Sequence, residues 1–242
     1  MRVEMFNVGW ISSFAAVWRQ GEDPERRIRF PVPAYLIETA QERILIDTGL
    51  HPAAVADPAD YYGRPEAGVF ELEIEESITD QVDVSTLTRV VITHLHFDHA
   101  GALTLLPASV PIVIQRREWD ARHDPEVIKR NFLYPRDYAV DDRTIELVDG
   151  DHDLLGDGSV RLLLTPGHTP GHQSVSIGEH LVLGIDVAHF ASTLDDRRFP
   201  VFADDFAAQG ASAERLRAMR DAGARVVPGH DPEVLRPGPV NT

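Results

Sequence analysis

Three histidines and an aspartate fall within six residues of one another in the phrase Thr93-His94-Leu95-His96-Phe97-Asp98-His99. His94 and His96 alternate along extended backbone, so both side chains face one way, and Asp98 and His99 lie on the turn that follows. A lone histidine is more often structural than ligating, but this density at this spacing has no packing explanation and points to metal binding. Four groups do not complete two coordination shells, so further ligands are expected at the ends of other strands on the same rim. Leu164-Thr165-Pro166-Gly167-His168 and Val227-Pro228-Gly229-His230 each read as a strand, a Pro-Gly bend and a histidine, and Ile185-Asp186 reads as a strand presenting a carboxylate. Proline and glycine bend the chain sharply where an imidazole must turn inward. Two cations about 3.5 to 4 Å apart supply hydroxide near neutral pH and polarise a carbonyl, so hydrolysis needs no protein nucleophile.

The elements that position these groups follow from the apolar runs. Tyr35–Glu38 and Arg43–Asp47, separated by a polar turn, read as a hairpin. Arg89–Thr93 is a strand of the buried type that runs into the histidine cluster, and 100–106 reads as helical before Pro107. Further strands are expected at 111–114, 144–148, 160–164, 173–177 and 225–227, and helices near 116–122 and 213–222. The phrase Leu181-Val182-Leu183-Gly184-Ile185-Asp186 repeats the design of the strand ending at Asp47, which predicts two half-domains of related build. Segments 10–30 and 52–70 read as irregular. The second is a candidate lid, with Tyr61, Tyr62 and Phe70 as a substrate-pocket wall or, alternatively, as anchors to the core.

Composition bounds the rest. A chain of 242 residues, 43% hydrophobic, suits one α/β (α+β) domain spanning residues 1–242. There is no cysteine, so disulfides, thiolate nucleophiles and sulfur ligands are excluded, and His, Asp and Glu remain for hard or borderline ions. A formal charge of -16 is the wrong sign for nucleic-acid binding. No apolar run reaches the roughly 18 residues of a membrane span, and no leader pattern opens the chain. A cytoplasmic protein with neither nucleic-acid nor membrane partners is expected, and a homodimer is left open.

His94-x-His96-x-Asp98-His99, followed in order by His168, Asp186 and His230, resembles the ligand set of dinuclear metallo-β-lactamase-superfamily hydrolases, from about Pro33 to about Glu233. The resemblance implies the four-layer αββα sandwich of that superfamily. It places His94, His96 and His168 on one metal, Asp98, His99 and His230 on the other, and Asp186 between them. It also puts Asp47 and His172 in supporting positions around the ligands. His51, His123, His152 and His180 read as ordinary surface residues. The expected cofactor is a pair of divalent ions, zinc by default, with cobalt, iron or manganese also compatible.

Within the superfamily, Thr93–Gly101, Ile114-Gln115-Arg116 before Trp119 and Asp120, Thr165–Ser174 and Gly229-His230-Asp231 resemble the N-acyl homoserine lactonases. That resemblance implies a neutral lactone substrate, Asp98 as proton carrier to the departing oxygen, and Phe97 as an apolar wall for an acyl chain. The loop 200–205 resembles a backbone region that contacts the acyl amide. One position departs: where those lactonases carry a tyrosine three residues after the bridging aspartate, this chain has His189. A histidine there can donate a hydrogen bond to the lactone and is expected to be both catalytic and substrate-binding. The alternatives are another lactone, an ester or a phosphotriester as substrate, or a metal-binding protein without turnover. Cysteine-dependent β-lactamases are excluded by composition. Glyoxalase II carries a basic helical C-terminal extension, whereas only twelve residues follow His230 here. Flavodiiron proteins want Glu in place of His96.

Overall fold

Apolar side chains alternate along the strands with the period of two that puts successive residues on opposite faces, and this alternation decides the layers. The computed structural model describes residues 1–64 and 70–241. The first half runs β1 (Arg2–Phe14), α1 (Ala15–Trp18), β2 (Arg27–Glu38), β3 (Arg43–Ile46), α2 (Pro52–Ala56), α3 (Pro58–Tyr62), β4 (Glu71–Glu73), α4 (Ile78–Gln81) and β5 (Arg89–Val91). It continues through β6 (Ile112–Gln115), α5 (Arg116–Ala121), α6 (Pro125–Arg130) and β7 (Ile145–Val148). The second half holds β8 (His152–Asp153), β9 (Val160–Leu164), β10 (Gln173–Ile177), β11 (Leu181–Ile185), α7 (Thr193–Asp196), α8 (Phe206–Asp221), β12 (Arg225–Pro228) and β13 (Gly238–Pro239).

One sheet is ordered β13-β1-β2-β3-β5-β6-β7, with β4 on β1, and the other β12-β11-β10-β9-β8. Tyr35, Ile37, Ile44, Ile46, Val91 and Val113 of the first sheet pack against Val160, Leu162, Val175, Leu181, Leu183 and Ile185 of the second. Their strand neighbours Ala34, Leu36, Leu45, Val90 and Ile112 face a separate outer core. The second sheet turns Leu163 and Val182 toward Ala213 and Leu216 of α8. In α8 the buried positions Gln209, Ser212, Ala213 and Leu216 lie at helical spacing, and Asp205 caps the helix by accepting from the backbone N–H groups of Ala207 and Ala208. The result is the four-layer αββα sandwich.

Three local expectations change. Residues 100–106 do not form an α-helix; only Leu103–Leu105 makes a 3-10 turn, because the Ala102 N–H donates to Gly49 O in the loop after β3. Segment 10–30 is strand at both ends: β1 and β2 stay paired from Trp10 with Pro31 to Phe14 with Arg27, and α1 with an irregular turn lies between. Arg27 and Arg29 reach Glu71 and Glu73 of β4 at 2.9 and 3.0 Å, and Glu22 pairs with Arg19, Arg26 and Arg198 in the turn. Segment 52–70 contains α2 and α3, and its residues 65–69 lie outside the described residues. No helix among the described residues is long and apolar enough to cross a membrane.

Candidate metal centre

Asp47 follows β3, His94 to His99 follow β5, His168 follows β9, Asp186 follows β11 and His230 follows β12, all on one rim. Two of these strand ends adopt left-handed backbone without glycine, Asp47 at φ 59° and Ile185 at φ 51°. For a β-branched residue this conformation is a genuine outlier. It is held at a site that turns the Asp186 carboxylate toward the histidines. The two strands of the repeated sequence design thus share a distorted end as well as a composition.

Side-chain partners set the imidazole tautomers. His96 Nε2 donates to Asn131 O at 2.7 Å, His99 Nδ1 to Asp47 Oδ2 at 2.7 Å and His230 Nδ1 to Pro31 O at 2.9 Å. His94 Nδ1 donates to Thr93 Oγ1 at 3.1 Å, whose own hydroxyl donates to Asp47 Oδ2 at 2.7 Å. Each of these rings therefore turns its other nitrogen inward, as a metal-ligating histidine does when its outer nitrogen is tied to a carboxylate or carbonyl.

The inward atoms form two sets. His94, His96, His168 and Asp186 offer ligand atoms within 4.8 Å of one another, and so do Asp98, His99 and His230. His96 Nδ1 lies 3.0 Å from His94 Nε2 and 2.9 Å from His168 Nε2. Asp186 Oδ2 is 3.1 Å from His168 Nε2, while Asp186 Oδ1 is 3.5 Å from His99 Nε2 and 3.2 Å from His230 Nε2. Edges of about 3.4 Å are what ligands at the usual 2.0–2.1 Å from a tetrahedral ion produce. Lone pairs at such separations repel unless a cation lies between them. Asp98 Oδ2, His99 Nε2, Asp186 Oδ1 and His230 Nε2 are also buried without a hydrogen-bond partner among the described residues. The donor set fits two metal ions, with one oxygen of Asp186 toward each.

Electrostatics agree with that fit. Burial holds His94 and His168 well below the ordinary histidine pKa and brings His96 down to about 4, which keeps these rings in the neutral, ligating form. At His99 burial also disfavours the charged ring, but Asp186, Asp98 and Asp47 outweigh it and hold the pKa well above the ordinary value. Burial opposes ionisation of Asp186, yet His189, His230 and His99 keep it well below the usual carboxylate range. A pocket whose carboxylates demand a proton on His99 will accept a divalent cation in its place.

Residues around the ligands fix their positions. Asp47 accepts the Thr93 N–H at 2.8 Å as well as the Thr93 hydroxyl and His99. His172 Nδ1 lies 3.1 Å from Thr165 O and its Nε2 accepts the Asp186 N–H at 3.2 Å, so it orients the backbone of a ligand and stays out of both ligand sets. Gly167, at φ 127°, lets the loop before His168 pass so close to α8 that a Cβ there would meet Gln209 N at 2.0 Å. Glu118, on α5, was not picked out from the sequence, where it is one acid in an ordinary Arg-Arg-Glu-Trp-Asp helix. Its carboxylate accepts from Leu95 N at 3.0 Å, Thr169 Oγ1 at 2.9 Å and Gly171 N at 2.7 Å, which ties the two ligand-bearing loops together.

A cavity of about 470 Å³ opens onto this rim, lined by Phe14, Val17, Trp18, Phe70, Phe97, Phe132, Val201 and Phe202, with His96 and Asp98 also on its surface. Phe70, Phe97 and the 200–205 loop stand where a pocket wall was expected. Tyr61 and Tyr62 do not. Tyr61 stacks on His51 at 4.7 Å under Arg136, and Tyr62 stacks on Tyr134 at 4.0 Å, so both anchor their segment to the core. His51 is accordingly half-buried, with Nδ1 accepting from Ala53 N at 3.1 Å, whereas His123, His152 and His180 are exposed as expected. His189, expected to face the substrate, is not a lining residue; it turns toward Asp186 Oδ2 at 3.1 Å, with Trp18 packed on its ring. Trp18, Phe14 and Phe132 carried no motif that would have marked them in advance.

The family model of the metallo-β-lactamase superfamily matches residues 27–230. The N-acyl homoserine lactonase AttM of Azorhizobium caulinodans is 30% identical over 222 residues, 84% of this chain and 82% of that protein. The N-acyl homoserine lactonase AiiA of Bacillus thuringiensis subsp. kurstaki is 32% identical over 185 residues, 72% of this chain and 70% of its own. Among solved structures, an N-acyl homoserine lactone hydrolase with the product N-hexanoyl-L-homoserine at its catalytic metal centre aligns at TM-score 0.83 and 26% identity, over 96% of this chain and 94% of that one. AidC, a dizinc quorum-quenching lactonase, shares the fold at TM-score 0.68 and 17% identity. The chain therefore belongs to the metallo-β-lactamase superfamily and, within it, to the family of N-acyl homoserine lactonases.

Proposed function

We propose that this protein is a dinuclear metal-dependent hydrolase that opens the lactone ring of N-acyl homoserine lactones. The observation that carries the reading is the continuity of cavity and centre: an aromatic and aliphatic pocket of about 470 Å³ has His96 and Asp98 on its surface. Such a pocket suits a small ligand with an apolar tail. The activity named for the AttM and AiiA relatives supports the lactone head. A formal charge of -16 fits a neutral substrate better than a nucleic acid.

His94, His96 and His168 with Asp186 Oδ2 would hold one ion, and Asp98, His99 and His230 with Asp186 Oδ1 the other. Nitrogen and oxygen donors without sulfur suit zinc first, and cobalt, iron or manganese next. When bound, such a pair supplies Lewis acidity toward a carbonyl oxygen and makes hydroxide accessible from water near neutral pH. The chain's own residues do the rest. Asp98 Oδ2, buried and without a hydrogen-bond partner among the described residues, receives the proton that the attacking water loses and delivers it to the alkoxide as the ring carbon–oxygen bond breaks. Phe97 and Phe202 hold the acyl chain and exclude bulk water, and Asp47, His172 and Glu118 keep the ligand loops in register.

The test is proton release on ring opening of N-hexanoyl homoserine lactone, run beside γ- and δ-lactones, aryl esters and a phosphotriester, with metal content measured on the same sample. The acyl homoserine lactone is expected to give the highest kcat/KM, with activity lost on chelation. A preference for a simple lactone would overturn the substrate, and two bound ions without hydrolysis of any compound would overturn the enzyme.

A further inference from the structure

We propose that His189 is an eighth ligand of the centre, coordinating through Nε2 beside the shared carboxylate of Asp186. This rests on the reading of the cluster as a metal centre and not on the lactone assignment. His189 Nε2 lies 3.1 Å from Asp186 Oδ2, the same separation that His168 Nε2 keeps from that oxygen. Asp186, His189 and His230 each offer a ligand atom within 4.8 Å of the others. The ring is 1% exposed, and neither of its nitrogens has a hydrogen-bond partner among the described residues. A buried imidazole with no hydrogen bond at either nitrogen is unfavourable, and a cation between Nε2 and the Asp186 carboxylate would answer that deficit, as it would for the neighbouring His99 and His230.

Surroundings point the same way. Trp18 packs on the His189 ring at 5.6 Å between centroids, and His168 and His230 flank it at 5.1 and 5.4 Å. Trp18 lines the apolar cavity and His189 does not, so the imidazole faces the centre from the side away from the substrate wall. Its backbone is anchored to another ligand: His230 N donates to His189 O at 2.8 Å, and Gly229 N to Ala188 O at 2.9 Å. A neutral imidazole is a good donor for borderline divalent ions, and here it is fixed in register with both Asp186 and His230.

Cobalt substitution tests this without reference to turnover. The wild-type protein, His189→Phe and His189→Gln are loaded with Co(II), their visible spectra recorded, and the ions withdrawn by titration with a chelator. Loss of a ligand should intensify and shift the visible bands toward those of a lower-coordinate ion. It should also release one of the two ions at a chelator concentration at least about tenfold lower. The Gln variant keeps a hydrogen-bond donor in the same space, so it should behave like Phe if coordination is the role. Should the Phe variant fail to fold, as judged by circular dichroism, the Gln variant decides on the same readouts. Unchanged spectra and release midpoints in the folded variants, with only kcat or KM altered, would overturn the proposal and return His189 to the substrate.

Discussion

Removing the carboxylate of Glu118 should loosen the metal centre without touching a metal ligand. In Glu118→Ala, three buried donors lose their acceptor: Leu95 N, Thr169 Oγ1 and Gly171 N. An unsatisfied buried donor costs about 1–3 kcal/mol, so the three together cost about 6 kcal/mol. Against this stands a relief. Burial, opposed only in part by those same hydrogen bonds, raises the pKa of Glu118 to about 7, and above that pH the folded wild type carries a disfavoured charge worth about 3 kcal/mol at 1.36 kcal/mol per pH unit. The net loss at pH 8 is about 3 kcal/mol, measured by urea unfolding of the metal-free chain. The sign with pH follows from linkage: a folded pKa above the unfolded one gives stability that is present below the ordinary glutamate pKa and lost as pH rises through about 7. The gap between wild type and variant should therefore widen by about 2 kcal/mol from pH 8 to pH 5. Divalent ions pull the carboxyl pKa down, so the metal-loaded protein should show a flatter dependence. A variant as stable as wild type at both pH values, with unchanged metal affinity, would refute the idea that this carboxylate joins the two loops.

Asp47→Asn replaces an oxygen that accepts from both the Thr93 hydroxyl and His99 Nδ1 with either an amide donor or a single acceptor. Metal affinity should fall about 10- to 100-fold, read by chelator competition. Gly229→Ala would set a Cβ 2.6 Å from Asp186 Oδ1 and 2.9 Å from Ile185 O; the carboxylate must shift, and the expected result is loss of one of the two ions by metal analysis. Phe202→Ala opens the cavity wall and should raise KM for a long-chain acyl homoserine lactone about tenfold while changing the short-chain value less, since each buried methylene is worth about 0.8 kcal/mol. Equal effects on both chain lengths would place the acyl group elsewhere.

Much of the centre was legible in the linear chain because its ligands sit in short phrases with local causes. His94 to His99 crowd into one loop, Pro-Gly bends precede His168 and His230, and Asp186 ends an apolar strand. The strands themselves were legible from runs whose alternation must separate two cores. Tertiary packing decided the rest. The helix read at 100–106 gave way to a single 3-10 turn because a backbone donor, that of Ala102, was taken by Gly49 of the loop after β3. The sequence leaves Tyr61 and Tyr62 open between pocket wall and core anchor, and His51, Arg136 and Tyr134 hold them against the core. The wall gathers Phe14, Trp18 and Phe132 beside the expected Phe70, Phe97 and Phe202, from segments far apart in the chain. Glu118 carries no signature, since its importance lies in three donors supplied by two distant loops. Likewise, the chain order sends His189 toward the substrate, and only the folded structure sets its buried ring beside Asp186 and off the cavity wall. Local spacing can announce which atoms bind an ion; what surrounds and aims those atoms depends on contacts between residues that the chain order does not bring together.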